Sequence, residues 1–560
     1  MGNFHDFICS NCSKKNKEED NYYIQETNPI VPKSIIDLKV DAKNFITKSG
    51  QNVYDIYEKI CELGAGAFGT VYKVKRKNSG MNPIIRALKE ISKEAMINEE
   101  SGEEIRNEIE ILKNIDHPNI MKIYEFFEDD KNMYLVSEFC GAGDVAGMND
   151  LHGIFPEFLL KYIMSQVLLA ISFLHSNKVV HGDIKRENIA FVYNGKLQTK
   201  EELEEFFAKI FNNKKLQEEL NEANGTENLS DEAMSIIKEL CNYDIKILDF
   251  GSAKMKKKDR INKKLSGIIG TTYYCSPEVI KNKYDFECDE WACGIMMYIL
   301  LAGEPPFDGE DEDQIFDKIL NDEINFNIPS MDIISDECKD LIGRLCEKNP
   351  QKRIKADEAL KHPFFLKGIN FSNILKGKYA ENTEALKKMI NNQTLKNRKE
   401  SKFMEMVIAY IGLNFPDQEE ALKAKQIFLE ISGGNKHYLI TKETFVSRFE
   451  KAMKNLTKKE IEDLFDRIDQ NESGNIEYEE LIRALSDKEK LLSDKNLEEA
   501  FKFFDKDNDG KISCKEFKQM LVRLSGEYTD KDVDELFKIV DLDLDGFINI
   551  NEFIHVWKFQ

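Results

Sequence analysis

The 560 residues allow about three to four domains, and 41% hydrophobic with 32% charged content supplies packed cores and excludes a globally disordered chain. The formal net charge is −22; about 33 acidic against about 23 basic residues fall in 412–560, which disfavours nucleic acid as a partner and favours metal cations. Eleven scattered cysteines point to free thiols in a reducing, intracellular setting rather than to a disulfide framework.

Residues 1–50 are polar, lack sustained periodicity and read as a flexible tail. The opening MGNFHDFICSNCSKKNK has Gly2, as myristoylation requires, but Asp6 where that signal usually has Ser or Thr. Cys9 and Cys12 could take palmitate, and Lys14, Lys15 and Lys17 suit an anionic leaflet; stable anchoring needs two such signals. Peripheral membrane attachment and an unmodified polar tail both stand as readings of a cytoplasmic chain. The Cys9/Cys12 spacing is also half of a zinc site, but no second pair follows at a useful distance.

From 57, YEKICELGAGAFGTVYKVKRK alternates apolar residues in two runs around a glycine cluster and predicts two strands. A helix near 99–114 and strands near 121–127 and 132–138 follow. From 156 the pattern is mostly helical, so a small β-rich lobe precedes a larger helical one. WACGIMMYILLAG at 291–303 is too short to cross a bilayer and predicts a buried helix. An insert at about 194–243 places Phe206, Phe207, Ile210 and Phe211 at helical spacing; it carries no chemistry and reads as a surface elaboration. Residues 380–412 predict a long helix carrying LKNRKESKFMEMVIAYI, basic first and apolar afterwards, ahead of a last domain at 413–560.

Gly64, Gly66 and Gly69 form G-x-G-x-x-G, which alone would serve a dinucleotide fold equally well. Here a second strand follows instead of a helix, which suits a hairpin lid whose backbone N–H groups meet phosphate oxygens. Lys89 on an apolar strand has a partner in Glu108 on the next helix, and the pair would hold an ammonium against phosphates. HGDIKREN then supplies Asp183, Lys185 and Asn188, and KILDFG supplies Asp249. One carboxylate can accept a hydroxyl proton and a Lys can offset charge on a moving phosphoryl. An Asn and a second carboxylate suit magnesium, a hard oxygen-seeking ion.

With SPE at 276–278 and DEWACG at 289–294 in the same order, residues 57–365 resemble the eukaryotic protein kinase family. The resemblance implies an ATP site with adenine on the hinge SEFC, bonding the Glu138 carbonyl and the Cys140 N–H. Ser137 takes the gatekeeper place, and Leu63 and Val71 complete the nucleotide-binding set. It implies Asp183 as catalytic base with Lys185 beside it, Asn188 and Asp249 on Mg2+, and Glu278 paired with Arg353. Asp144 and Glu187 match positions that bind an Arg upstream of the target, which implies protein Ser/Thr substrates with basic residues before the hydroxyl. In the family an Arg beside the catalytic Asp meets a phosphorylated activation loop. Gly182 stands there and cannot, so control should come from elsewhere, with Thr271 and Thr272 shaping the substrate platform.

Three loops recur at about 36-residue intervals: DQNESGNIEYEE, DKDNDGKISCKE and DLDLDGFININE. Their oxygen ligands are Asp469, Asn471, Ser473, Asn475 and Glu480; Asp505, Asp507, Asp509, Lys511 and Glu516; and Asp541, Asp543, Asp545, Phe547 and Glu552. Asn475, Lys511 and Phe547 would contribute backbone carbonyls. The spacing fits calcium. One interval earlier, EISGGNKHYLITKETF has Ser432, Gly434 and Lys436 in place of acids, which predicts a first hand that folds and pairs but binds calcium weakly or not at all.

A kinase domain, a junction helix and four EF-hands in this order resemble the calcium-dependent protein kinases of plants and apicomplexan parasites. The implied architecture is α+β: a bilobal kinase fold followed by an all-α domain of paired EF-hands. The implied function is a monomeric calcium-activated Ser/Thr kinase using ATP, Mg2+ and Ca2+, with no nucleic-acid partner. The junction would block the substrate groove at low calcium, and the hands would draw 403–411 away when loaded. A calcium-responsive adaptor with a catalytically weak kinase domain is the competing expectation.

Overall fold

The computed structural model describes residues 47–49, 52–66, 69–77, 83–94, 99–193, 199–223, 225–226, 228–256, 265, 270–369, 371, 402–414, 418–432, 439–452, 456–507, 509–525 and 530–558. Gly2, Cys9 and Cys12, the junction before 402, and the loop holding Gly434 and Lys436 lie outside them.

Six strands form the small lobe's sheet: β1 (Thr47–Ser49), β2 (Tyr57–Gly66), β3 (Gly69–Arg76), β4 (Ile85–Ser92), β5 (Ile123–Glu128) and β6 (Asn132–Glu138), in the order β1-β5-β6-β4-β3-β2. All neighbours are antiparallel except β1 on β5. The period-two pattern divides β6 between two cores: Tyr134 and Val136 join Tyr57, Val74, Leu88 and Phe127, while Met133 and Leu135 turn to the core shared with the larger lobe. Thr47–Ser49 corrects the expected flexible tail of 1–50. A three-residue ladder to Phe126–Glu128 is a backbone pairing too short to leave a periodic signal.

α1 (Glu99–Asn114) lies between β4 and β5 in the small lobe; in the larger lobe α2 (Val145–His152) and α3 (Glu157–Ser176) follow the hinge. The insert folds as α4 (Lys200–Phe211), α5 (Lys214–Glu222) and α6 (Asp231–Leu240) between β8 (Ile189–Tyr193) and β9 (Tyr243–Ile247), with β7 being Val179–Val180. A reciprocal Thr199/Glu202 capping box starts α4. Leu203, Phe206, Phe207 and Ile210 are buried in the lobe's main core, and Phe206 stacks on Tyr243 at 5.4 Å. The insert is therefore not a surface elaboration: its apolar stripe closes the core, at about 1.5–3 kcal/mol for each fully buried side chain. The apolar run at 291–303 lies in α7 (Glu287–Ala302) up to its C-cap Gly303, and the helix is almost wholly buried, as its composition predicts.

From α7, Asp289 reaches the loop after β7. Its Oδ2 accepts from the His181 N–H (2.9 Å) and its Oδ1 from the Gly182 N–H (2.8 Å). His175 at the end of α3 lies 2.8 Å from Asp289 and 3.2 Å from Glu290. Burial alone would pull its imidazole down; Glu290 and Asp289 outweigh it and hold it up to about 10. Stability from this proton is fully present below the unfolded value near 6.5 and is lost as pH rises through about 10. The unfolding free energy of the wild type should fall across that window by up to about 1.4 kcal/mol per pH unit more than that of His175→Gln, read from denaturant melts at stepped pH. Parallel curves of stability against pH for the two proteins would refute the assignment.

The last domain holds α8 (Lys402–Asn414), α9 (Gln418–Ser432), α10 (Lys442–Ala452), α11 (Lys458–Ile468), α12 (Tyr478–Leu485), α13 (Asp494–Phe504), α14 (Cys514–Ser525), α15 (Asp530–Val540) and α16 (Ile550–Lys558). Short ladders pair the hands: Ile440–Thr441 with Asn475–Ile476, and Lys511–Ser513 with Phe547–Asn549. The acid-poor first hand thus folds and pairs with the second. α8 runs two residues past the expected boundary at 412, because Val407, Tyr410 and Ile411 are buried with Leu497, Phe501, Phe504 and Phe553 of the third and fourth hands.

Candidate active site and calcium loops

β2 and β3 form the glycine hairpin, with Gly64 opposite Val71 and Gly66 opposite Gly69. A side chain at Gly69 would stand 2.0 Å from the Glu90 carbonyl oxygen, so only glycine lets β3 pack on β4 here. Lys89 lies on β4 between Val71 and Leu135, and its Nζ is 3.2 and 3.1 Å from the two Glu108 oxygens on α1. Burial pulls the Lys89 ammonium down, but Glu108 and Asp249 outweigh it and hold it above its ordinary value. Ser137 is buried near the end of β6, and Glu138 is the strand's last residue. Cys140 follows in the hinge, its thiol pushed up by burial. Leu63 is exposed on β2.

Asp183 sits at the centre of a hydrogen-bonded set. Lys185 Nζ is 2.8 Å from its Oδ2, the Asn188 amide donates to the same oxygen at 3.0 Å, and Thr271 donates to its Oδ1 at 3.1 Å. Lys185 also donates to Thr271 Oγ1 at 2.9 Å. One oxygen is thus held by Thr271 and the other by a cation and an amide, which orients the carboxylate. Thr272 instead donates to Glu312 at 2.8 Å. Asp249 is exposed with φ 56°, and its Oδ1 accepts the Gly251 N–H at 3.2 Å, leaving Oδ2 for a metal. Oxygen-only donors at Asn188 and Asp249 fit Mg2+.

Gly182 has φ 79°, the left-handed region, and lines a narrow cleft with Thr271, Cys275 and Cys288. Glu278 and Arg353 form the buried bidentate pair expected, with Nη2–Oε2 at 3.0 Å. Asp144 caps α2 through Oδ1 (Gly147 N–H, 2.7 Å), and Glu187 lies 3.4 Å from Arg186. A bridge from Asp144 to Ala190 sets the first acid beside the strand that begins just after the second.

In the calcium loops Gly474, Gly510 and Gly546 take φ 84°, 84° and 86°, the left-handed turn that position six requires. The twelfth-position acids close each loop with both oxygens: Glu516 accepts from Lys506 and Ser513 N–H (2.8 Å each), Glu552 from Leu542 and Asn549 (2.9 Å each), and Glu480 from Gln470 and Glu477 (3.0 Å each). Asp505, Asp507 and Asp509 converge within 4.8 Å, as do Asp541, Asp543 and Glu552. Asp541 Oδ1 is buried without a hydrogen-bond partner. Converging carboxylates, with Asp505, Asp541 and Glu552 buried among them and one oxygen orphaned, fit a hard divalent cation. The loop at 469–480 is poorer, with two carboxylates among its ligands. Nearby Arg483 lies 3.1 Å from Glu479 and donates to Gln470 at 2.6 Å. Burial pushes the Glu480 carboxyl up to about 8.

The protein kinase domain model matches residues 57–365, the EF-hand domain pair model 494–558 and the EF hand model 461–486. Among curated relatives, calcium-dependent protein kinase 3 of Plasmodium yoelii yoelii is 32% identical over 456 residues, covering 81% of this chain and 72% of the relative. Calcium-dependent protein kinase 5 of Plasmodium falciparum (isolate 3D7) is 30% identical over 450 residues (80% and 67%), and calcium-dependent protein kinase 33 of Arabidopsis thaliana 31% over 455 (80% and 74%). The chain belongs to the calcium-dependent protein kinases. This calcium-dependent protein kinase is a calcium-activated enzyme that phosphorylates protein Ser/Thr and uses ATP, Mg2+ and Ca2+.

Sequence reading missed the residues that join the kinase's two halves. Arg76 on β3 donates to the Tyr410 hydroxyl of α8 at 3.1 Å and lies 3.4 Å from Glu125 and 3.8 Å from Glu499 of α13. Arg86 donates to the Asn414 carbonyl at 3.1 Å, and Asp116 accepts the Glu479 N–H at 2.6 Å. It also missed Thr271 as a direct partner of the Asp183 and Lys185 side chains, and Asp289 as the anchor of Gly182. DEWACG was visible as a motif, and an acid opening an otherwise apolar buried helix is a signal that it must meet a partner.

Proposed function

We propose that Asp183 takes the proton from the substrate hydroxyl as that oxygen attacks, while Lys185 offsets charge on the transferred group. Lys89, positioned by Glu108, meets the nucleotide phosphates, and the Glu138 carbonyl and Cys140 N–H meet adenine. Asn188 and Asp249 hold Mg2+, which supplies charge neutralisation on the phosphates when bound. The calcium ligands are the loop residues named above, with the third and fourth hands the strongest sites because four carboxylates serve each.

One observation carries the regulatory reading: Tyr410 of the junction is buried between kinase and hands, stacked on Phe503 at 4.1 Å while Arg76 bonds its hydroxyl. We infer that this arrangement is the calcium-loaded state and that at low calcium the junction instead blocks the substrate groove. Gly182 removes the need for activation-loop phosphorylation, so calcium is the switch. Asp144 and Glu187 favour Arg before the target Ser or Thr. The test is a calcium titration of phosphatase-treated full chain against a Ser peptide with upstream Arg. The rate should rise with calcium, match untreated enzyme, and show a higher KM when the Arg is replaced by Ala. Rates independent of calcium, or abolished by the phosphatase, would refute it.

We infer a cytoplasmic monomer whose N-terminus is either an unmodified polar tail, as Asp6 favours, or a peripheral membrane anchor acylated at Gly2 and Cys9 or Cys12. Mass spectrometry of the N-terminal peptide from native cells distinguishes the two: added acyl mass on Gly2 and a cysteine gives the anchor, and an unmodified peptide gives the tail.

A further inference from the structure

The acid-poor first hand is built into the kinase rather than idle. Its entering helix α9 buries Ala424, Ile427 and Phe428, and Phe428 meets the ring of His117 edge-on at 5.9 Å. From the same helix Lys425, its side chain 9% exposed, pairs with Asp244 on β9. Two residues along that strand, Lys246 lies 2.8 Å from the Glu138 carboxylate. Glu138 ends β6, and its backbone carbonyl is the group assigned to adenine. Four charges of alternating sign, Lys425, Asp244, Lys246 and Glu138, thus run from the tail domain to the back of the nucleotide hinge.

We propose that Lys425 is a positioning residue for ATP: docking of the first hand engages Asp244, leaves Lys246 on Glu138, and so makes nucleotide affinity depend on calcium. This rests on the reading that calcium loading accompanies docking. The physical reason is competition for one ammonium. Asp244 is buried and needs a cation. With Lys425 in place, Asp244 has its own cation and Lys246 stays on Glu138, whose carboxylate also accepts the Lys122 N–H at 3.4 Å. Without it, Asp244 draws Lys246 along the strand, and Glu138 loses its cation and keeps only the longer Lys122 N–H bond. His117 beside them is kept neutral by burial and by the two ammonium groups, so it supplies no replacement cation. This gives a role to a hand with poor calcium ligands: it is retained as the surface that reads docking into the ATP site.

The test uses full-length enzyme in saturating calcium. Lys425→Met should raise the KM for ATP about 5-fold or more, the lower end for coupled sites, with kcat and the peptide KM within about twofold. Adding Asp244→Asn should return the ATP KM to near the wild-type value, because the neutral residue no longer competes for Lys246. Loss of docking alone would not be rescued in this way. An unchanged ATP KM, or a rise that Asp244→Asn does not reverse, overturns the proposal. If Lys425→Met does not fold, Lys246→Met reads the same relay from the kinase side: its ATP KM should rise by the same factor, and no rise overturns it. A wild type active equally in chelator and calcium would instead sink the calcium reading while leaving these KM comparisons interpretable.

Discussion

Asp183→Asn lowers kcat about 10²–10⁴-fold, the range for loss of a positioned general base, while ATP still binds. Asparagine keeps the shape of the side chain and can still meet Thr271 and Asn188, which now hold the two carboxylate oxygens at 3.1 and 3.0 Å. It has no basic oxygen for the substrate proton, and it gives up the ion pair to Lys185 at 2.8 Å. The nucleotide groups are elsewhere: Lys89 with Glu108 on the small lobe and the hinge at Glu138 and Cys140. Steady-state peptide phosphorylation should therefore fall in kcat, and a fluorescence titration should find the ATP dissociation constant within about twofold. A variant within about tenfold of wild-type kcat would show that Asp183 only shapes the loop. Loss of ATP binding in a folded variant would show that the residue acts on the nucleotide instead.

The parts of this site legible in the sequence were those whose chemistry needs fixed residue types at short, fixed spacing. Asp183, Lys185 and Asn188 fall within six residues, and their side chains meet. The calcium loops repeat oxygen donors at fixed offsets with a glycine at the turn, and Gly474, Gly510 and Gly546 do take the left-handed backbone. Pairing across distance was not legible. Asp289 holds His181 and Gly182 from more than a hundred residues away, and Lys425 meets Asp244 across domains. The DEWACG motif signals that Asp289 must meet a partner but does not name it, and Lys425 leaves no local pattern, because a charged side chain on a helix looks the same in sequence whether it meets water or a partner. The insert makes the same point. Its phenylalanine spacing predicted a helix, and a helix forms, but periodicity states only that one face is apolar, not which core will take it. The strand at 47–49 is too short for any period.

Glu516→Gln combined with Glu552→Gln raises the calcium concentration for half-activation by at least about tenfold, that is about 1.4 kcal/mol or more of lost differential binding, and leaves the rate in chelator unchanged. Each Glu closes its loop with both oxygens, against Lys506 and Ser513 in one hand and Leu542 and Asn549 in the other. Gln removes the charge and replaces one acceptor with a donor that calcium cannot use. The loops are tied by the Lys511–Ser513 and Phe547–Asn549 ladder, and their helices form the core that buries Val407, Tyr410 and Ile411. Weakened calcium there therefore weakens the hold on the junction. A switch from about 1:99 to 99:1 needs about 5.5 kcal/mol of differential binding, more than the loop at 469–480, with two carboxylates and Arg483 close by, is equipped to supply. Glu480→Gln alone should accordingly move the midpoint less than the double variant does. Calcium-titrated peptide phosphorylation of the three proteins reads all of this at once. Equal midpoints for wild type and double variant would place the trigger outside these two hands, and a larger shift from Glu480→Gln would reverse the ranking that carboxylate number and the Arg483 charge impose.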